Sequence, residues 1–368
     1  MSIYEERLAQ LTEHLKLHGY RGVMIHDPAN IFYYTGFNSD PHERFMALFI
    51  DVVKNERAFF VPALDKDAAE EASLIRPIVP ISDEQLPFDV VKETLPRLSG
   101  KFGIEYRAVN VERFHLLTET YPQLELTNIQ PFINEARMQK SPEEIEALKE
   151  ALRIIEKVLE DGIQKVRIGM TESELVGELE QLMRVHGADG PSFSTIVLSG
   201  PKSALPHGSP GDRAFQKGDY LLIDFGVMKN GYCSDITRTF IIGEASERQR
   251  EIYETVQRSN EAGMKAVEAR ARYQTFDDAA RNVIEEAGYG EYFNNRVGHG
   301  IGIELHEEPS VHANNDDRAK VGNVFTIEPG IYIPGEGGVR IEDTVAVGED
   351  GHVEVLSSFP RDLQIIGN

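Results

Sequence analysis

The run Tyr220-Leu221-Leu222-Ile223-Asp224-Phe225-Gly226 leads to an Asn230-Gly231 pair and returns through Ser234-Asp235-Ile236-Thr237. Asn-Gly between two β-prone runs is a strong signal for a two-residue hairpin, because both positions tolerate positive φ. That turn sets the register. Gly226 faces Asp235, and Asp224, two residues away, shares the same face on the diagonal. The chain therefore predicts a hairpin that points two carboxylates into one space, with a glycine leaving room beside them.

A second segment repeats the layout. Phe325-Thr326-Ile327-Glu328-Pro329-Gly330-Ile331 leads into a turn over Pro334 to Gly338, and Val339-Arg340-Ile341-Glu342-Asp343-Thr344 returns. A five-residue loop puts Gly330 opposite Glu342, with Glu328 on the diagonal. Two such hairpins predict two related halves facing each other around one site. Four converging acids repel unless a cation neutralises them. Oxygen ligands suit Mn²⁺ or Mg²⁺, and an added imidazole widens the choice to Co²⁺, Fe²⁺ or Zn²⁺. Imidazoles are supplied by His299 in Gly298-His299-Gly300-Ile301-Gly302, by His306 just beyond it, and by His207 in Leu205-Pro206-His207-Gly208. The flanking glycines predict close backbone approach and an exposed His299. The glycine run lacks the Lys-Ser/Thr of a phosphate loop, and Pro309 breaks the helix a zinc-protease motif would need.

Around these hairpins the pattern is helical. Ser141-Pro142-Glu143-Glu144 is a capping box with proline at the first helical position, predicting a helix to about Lys165. Thr171-Glu172-Ser173-Glu174 starts another, and two more stretches run over 246–270 and 275–287. Earlier in the chain, helical spacing from Ile3 to His18 precedes β-rich runs at Gly22 to Ile25, Phe45 to Val53 and Ala58 to Val61. The 368 residues exceed what one core usually holds, so a small α/β domain over 1–130 and a larger one over 131–368 are expected.

A formal net charge of −23 argues against nucleic-acid and anionic-membrane partners, which need basic patches. Cys233 is the single cysteine, so no intrachain disulfide forms, and the start Met1-Ser2-Ile3-Tyr4 lacks a secretory pattern. The apolar run at Phe45 to Val53 is too short for a membrane helix and contains Asp51. A cytoplasmic location is expected.

Ile223-Asp224-Phe225-Gly226, Ser234-Asp235-Ile236-Thr237-Arg238, Gly298-His299-Gly300-Ile301-Gly302, Ile327-Glu328-Pro329-Gly330 and Arg340-Ile341-Glu342-Asp343 together resemble the motifs of the pita-bread metallopeptidases (M24B type). That family includes methionine aminopeptidase, aminopeptidase P and prolidase. The resemblance spans roughly residues 140–368. It implies an α+β chain: a C-terminal pita-bread (creatinase/aminopeptidase) fold with an internal pseudo-two-fold repeat, after a smaller α/β creatinase-like domain.

The same resemblance implies two divalent metal ions, Mn²⁺ foremost and Co²⁺, Zn²⁺ or Fe²⁺ as alternatives. Asp224 and Asp235 would hold one, His299 and Glu328 the other, with Asp235 and Glu342 bridging. Glu328 would be the general base, His306 would stabilise the carbonyl oxygen, and His207 and Arg340 would recognise the proline end of a small peptide. Arg340 in that place serves either a terminal carboxylate or a metal carboxylate, and Tyr332 reads as core packing beside the site. Tyr33-Tyr34-Thr35-Gly36-Phe37 and Ser39-Asp40-Pro41-His42-Glu43-Arg44 resemble bacterial Xaa-Pro dipeptidases most. This implies hydrolysis of Xaa-Pro dipeptides by a homodimer, with Asp40, His42 or Arg296 near the substrate's first residue. Aminopeptidase P and a catalytically inactive peptide-binding module are the alternative readings.

Overall fold

In the computed structural model of the chain, residues 2–367 are described. The chain divides after Asn134 into two compact units.

The first unit is built on a six-stranded mixed sheet. Its order is Ile78–Ile81, Glu56–Pro62, Ala47–Asp51, Gly22–Ile25, Gly100–Ile104 and Leu124–Asn128. Phe49, Phe60, Phe102 and Ile104 pack together in a core of this unit. The apolar run at Phe45 to Val53 yields a strand only over Ala47–Asp51. There Asp51 Oδ1 accepts from the backbone N–H groups of Val53 and Lys54, at 3.0 Å each, and turns the chain.

In the second unit the predicted caps form. Ser141 and Thr171 each complete a capping box, opening helices Pro142–Ile163 and Glu172–Val185. Helices Glu247–Lys265 and Tyr273–Glu286 form the second pair. Each pair covers its own sheet. Leu152, Ile155, Leu159, Leu175 and Leu179 pack with Leu221, Ile223, Phe225, Ile236 and Phe240 in one core. Ile252, Val256, Phe276 and Ala280 pack with Phe325, Ile327, Ile341 and Val345 in the other.

Strand periodicity then decides where the acids go. Alternate residues point to opposite faces, so Leu221, Ile223 and Phe225 turn to the helices and Asp224 turns away. By the same alternation Phe325 and Ile327 leave Glu328 on the far face, and Ile341 leaves Arg340 and Glu342 there. Two helix-backed halves thus present acid-bearing faces, the doubled architecture the resemblance implies.

The first hairpin keeps the predicted register: Met228 pairs with Cys233, and Ile236 with Phe225. Asn230 and Gly231 take φ of 52° and 80°, as a two-residue turn of this kind requires. The second hairpin departs from expectation. Ile333 pairs with Gly337 and Gly330 with Arg340, so the loop is three residues, Pro334 to Glu336. Gly335 at φ 83° and Gly337 at φ 143° let it close that tightly. Ile327 pairs with Asp343 in the same alignment, so Glu328 lies directly across from Glu342 and not on its diagonal. A shift of two residues preserves the face, which is why the acids still converge.

Candidate metal centre

Asp224 is the last but one residue of the strand Tyr220–Phe225, and Asp235 immediately precedes the strand Ile236–Ile242. His299 sits in the strand Gly298–Gly300, while Glu328 and Glu342 flank the junction of the second hairpin. All five line one cavity of about 920 Å³, together with His207, His306, Arg296, Tyr332 and Arg340. Asp235, His299 and Glu342 offer ligand atoms within 4.8 Å of one another.

The glycines flanking His299 admit close backbone approach as expected, but they do not expose the ring: His299 is 3% exposed. A Cβ on Gly298 would lie 1.8 Å from the Thr326 carbonyl oxygen, and one on Gly300 2.2 Å from that of Glu308. Their absent side chains admit the neighbouring backbone. Gly226 likewise admits the Ser234 carbonyl, at 1.9 Å from where its Cβ would be, and leaves no room for a ligand.

His299 Nδ1 lies 3.1 Å from the Gly300 carbonyl, which can only accept, so the ring proton is assigned there. Nε2 then presents its lone pair 3.4 Å from Glu328 Oε1 and 3.6 Å from Asp235 Oδ2. Burial, and then the nearby His306, push the His299 pKa down to about 3, which keeps the ring neutral as a ligand must be.

The acids are strained electrostatically. Burial, followed by Glu342, Asp224 and Glu328, raises Asp235 well above the ordinary carboxylate range. Burial, then Glu328 and Asp224, does the same to Glu342. Glu328 is pushed up to about 7 by burial, with Arg340 opposing and Asp224 adding. Asp235 Oδ1 and Glu342 Oε1 are buried with no hydrogen-bond partner. Orphaned buried acceptors among like charges cost free energy unless a cation fills the space between them. The donor set of carboxylates and one neutral imidazole fits divalent metal.

Arg340, 3% exposed, is engaged on all three nitrogens. Nη2 donates to Asp224 Oδ2, Nη1 to the Tyr332 hydroxyl at 2.8 Å, and Nε to Thr237 Oγ1 at 3.1 Å. Thr237 in turn donates to Glu342 Oε2 at 2.6 Å. Tyr332 is therefore a polar partner of the site as well as a packed ring. Thr237 carried no role in the sequence reading, although it lies two residues beyond Asp235 on the same face.

His306 is exposed to the cavity, its ring edge-on to His299 with centroids 4.1 Å apart. Burial, then Arg296 and His207, lower its pKa. His207 is exposed on a loop whose ends are tied by Glu172. That buried carboxylate accepts from Ser199 N at 2.8 Å, Lys202 Nζ at 2.6 Å and Gly211 N at 3.0 Å. Phe193, Ile196, Leu205 and Leu305 add the apolar wall that sequence patterning did not reveal. In the first unit, Asp40 and His42 lie on an exposed turn 3.3 Å apart, and Arg44 pairs with Asp83 at 2.8 Å.

Fold and site define a metal-dependent peptidase. The chain belongs to metallopeptidase family M24, whose model matches residues 146–349; the Creatinase/Prolidase N-terminal domain matches residues 7–139. It is 39% identical to YkvY of Bacillus subtilis (strain 168), a dipeptidase by provisional name, over 98% of this chain and 99% of that protein. The crystal structure of recombinant prolidase from Thermococcus sibiricus has a TM-score of 0.93 at 35% identity, covering 100% of both chains. That of X-Pro aminopeptidase from Thermotoga maritima has a TM-score of 0.89 at 33% identity, covering 97% of this chain and 99% of that one. The chain is a hydrolase of the pita-bread type. Among the described residues, no helix is long and apolar enough to cross a membrane.

Proposed function

We propose that this protein hydrolyses Xaa-Pro dipeptides and releases free proline, using two divalent metal ions held by Asp224, Asp235, His299, Glu328 and Glu342. The observation that carries the reading is the pair of orphaned oxygens, Asp235 Oδ1 and Glu342 Oε1, at the meeting of both halves in a cavity walled by His306, His207 and Arg340. Similarity to prolidase along the whole chain supports the substrate class.

When bound, the cations would offset the acids and supply Lewis-acid charge for a water nucleophile and the scissile carbonyl. Glu328 takes the proton of the attacking water and returns it to the leaving proline nitrogen. His306, kept neutral by its surroundings, donates to the carbonyl oxygen where charge develops. His207 meets the proline carboxylate, Arg340, engaged on Asp224, Tyr332 and Thr237, braces a metal ligand, and the apolar side chains exclude water around the ring. The catalytic region is residues 131–368, preceded by a 1–130 domain. Mn²⁺ is the metal, the protein is a cytoplasmic homodimer, and Arg296 serves the substrate's first residue.

The X-Pro aminopeptidase similarity favours a second reading, removal of the first residue from longer Xaa-Pro peptides. The test is release from Leu-Pro and from Leu-Pro-Pro, after chelation and again with Mn²⁺. Metal-dependent cleavage of the dipeptide alone is expected. Preference for the tripeptide makes the protein an aminopeptidase P, and cleavage of neither by the metal-loaded protein overturns the Xaa-Pro assignment.

A further inference from the structure

Next to His306 lies a buried charge cluster that the mechanism does not use. Glu307, its side chain 5% exposed, accepts from Arg137 Nη2 and from Lys140 Nζ at 3.1 Å. Those two cations are 6% and 1% exposed. The Glu307 carboxylate also accepts from the backbone N–H of Glu304 at 3.0 Å, and Arg137 reaches Glu304 at 2.8 Å. Glu307 thus meets two bases away from water, with the half-exposed Glu304 at the edge of the cluster, the condition under which a buried ion pair is costly to break on one side.

The geometry ties this cluster to the loop that bears His306. A Cβ on Gly302 would lie 2.7 Å from Glu307 Oε2, so the carboxylate lies directly over the start of that loop. Gly302 N donates to Glu304 O at 3.1 Å, closing it on itself. On its other side, Cys233 N donates to Gly302 O at 2.8 Å and Cys233 Sγ to Ile303 O at 3.4 Å. The basic pair is itself anchored: Lys140 N donates to Gly322 O at 2.9 Å, and Asn323 Nδ2 to Met138 O at 3.1 Å. Asn323 directly precedes the strand Val324–Ile327 that leads to Glu328. The loop is therefore fixed to the strand Tyr232–Cys233, two residues before Asp235, and to the segment that leads to Glu328.

We infer that Glu307 is a positioning residue: clamped by Arg137 and Lys140, it holds the 301–306 loop so that His306 points at the reacting carbonyl. The inference rests on the role given above to His306. A misplacement of about 1 Å at such a donor costs on the order of a hundredfold in rate.

The test is a double-mutant cycle in the Mn²⁺-loaded protein with Leu-Pro. Glu307→Gln, which keeps shape and removes charge, lowers kcat by about ten- to hundredfold in the wild-type background with KM within about threefold. In a His306→Ala background the same change costs less than about twofold. Equal losses in both backgrounds, or no loss in the first, overturn the inference. Should Glu307→Gln fail to fold, Glu307→Asp keeps the charge, shortens the anchor and is read by the same cycle. A second readout needs no substrate: the imidazole NMR signals of His306 in metal-free protein shift or broaden in the variant. Unchanged signals overturn positioning, even if Leu-Pro is not the substrate.

Discussion

The Arg340 guanidinium is paired with the Asp224 carboxylate, with its other nitrogens on Tyr332 and Thr237. A fork engaged on every side braces a metal ligand. Arg340→Lys is therefore expected to weaken metal retention about ten- to hundredfold, read by metal analysis of dialysed protein. Unchanged metal content with a raised KM for Leu-Pro would assign Arg340 to the substrate carboxylate instead.

The crowded acids predict opposite effects of one substitution with and without metal. Asp235→Asn removes a buried charge that Glu342, Asp224 and Glu328 oppose. Metal-free Asp235→Asn should melt several degrees above metal-free wild type at pH 8. With saturating Mn²⁺ the order reverses, because ligand binding stabilises only the protein that binds it. A lower melting point for the metal-free variant would contradict the repulsion argument.

His306→Ala should lower kcat about a hundred- to a thousandfold, as loss of a donor to the developing oxyanion does. KM for Leu-Pro should move little. Steady-state kinetics decide this, and a change confined to KM would move His306 to a binding role.

Two glycines should respond oppositely to alanine. At Gly226 a Cβ would be 1.9 Å from the Ser234 backbone oxygen, which cannot retreat without breaking the hairpin, so Gly226→Ala should cost more than about 3 kcal/mol. Gly177, in the helix Glu172–Val185, has nothing within 4 Å of its Cβ position. Gly177→Ala should add about 0.5–1 kcal/mol through helix propensity. Urea unfolding of both variants checks the pair.

Glu307 links stability to pH. Burial alone would raise its pKa, but Lys140 and Arg137 hold it down to about 2, against 4.5 for an ordinary glutamate. A depressed acid contributes stability above its unfolded pKa and loses it as pH falls through the folded one. The wild type should thus lose up to about 3 kcal/mol from this group between pH 5 and 2, and Glu307→Gln should lack that component. Parallel stability–pH curves for the two proteins would show that the charge pair carries none of it.

Period-two alternation was sufficient to read which face each acid occupies. Leu221, Ile223 and Phe225 against Asp224, and Phe325 and Ile327 against Glu328, are local patterns that burial of one face enforces. Caps at Ser141 and Thr171 were equally legible, since the donors they satisfy are three residues away. Local spacing left the second hairpin's register open, because a three- and a five-residue loop place the same residues on the same face. Only the positive φ at Gly335 and Gly337 selected the shorter one.

What the sequence determined by itself was therefore the set of residues and the faces they share: five metal-ligand candidates, their strands and the doubled helix-backed layout. Tertiary structure decided what stands across from each. Arg340 meets Asp224 from 116 residues away, and Glu307 meets Arg137 and Lys140 from 170 and 167. No local periodicity encodes such partners. They follow from how two separately packed cores bring their unburied faces together, and in that shared, water-poor space each charge takes the nearest opposite one.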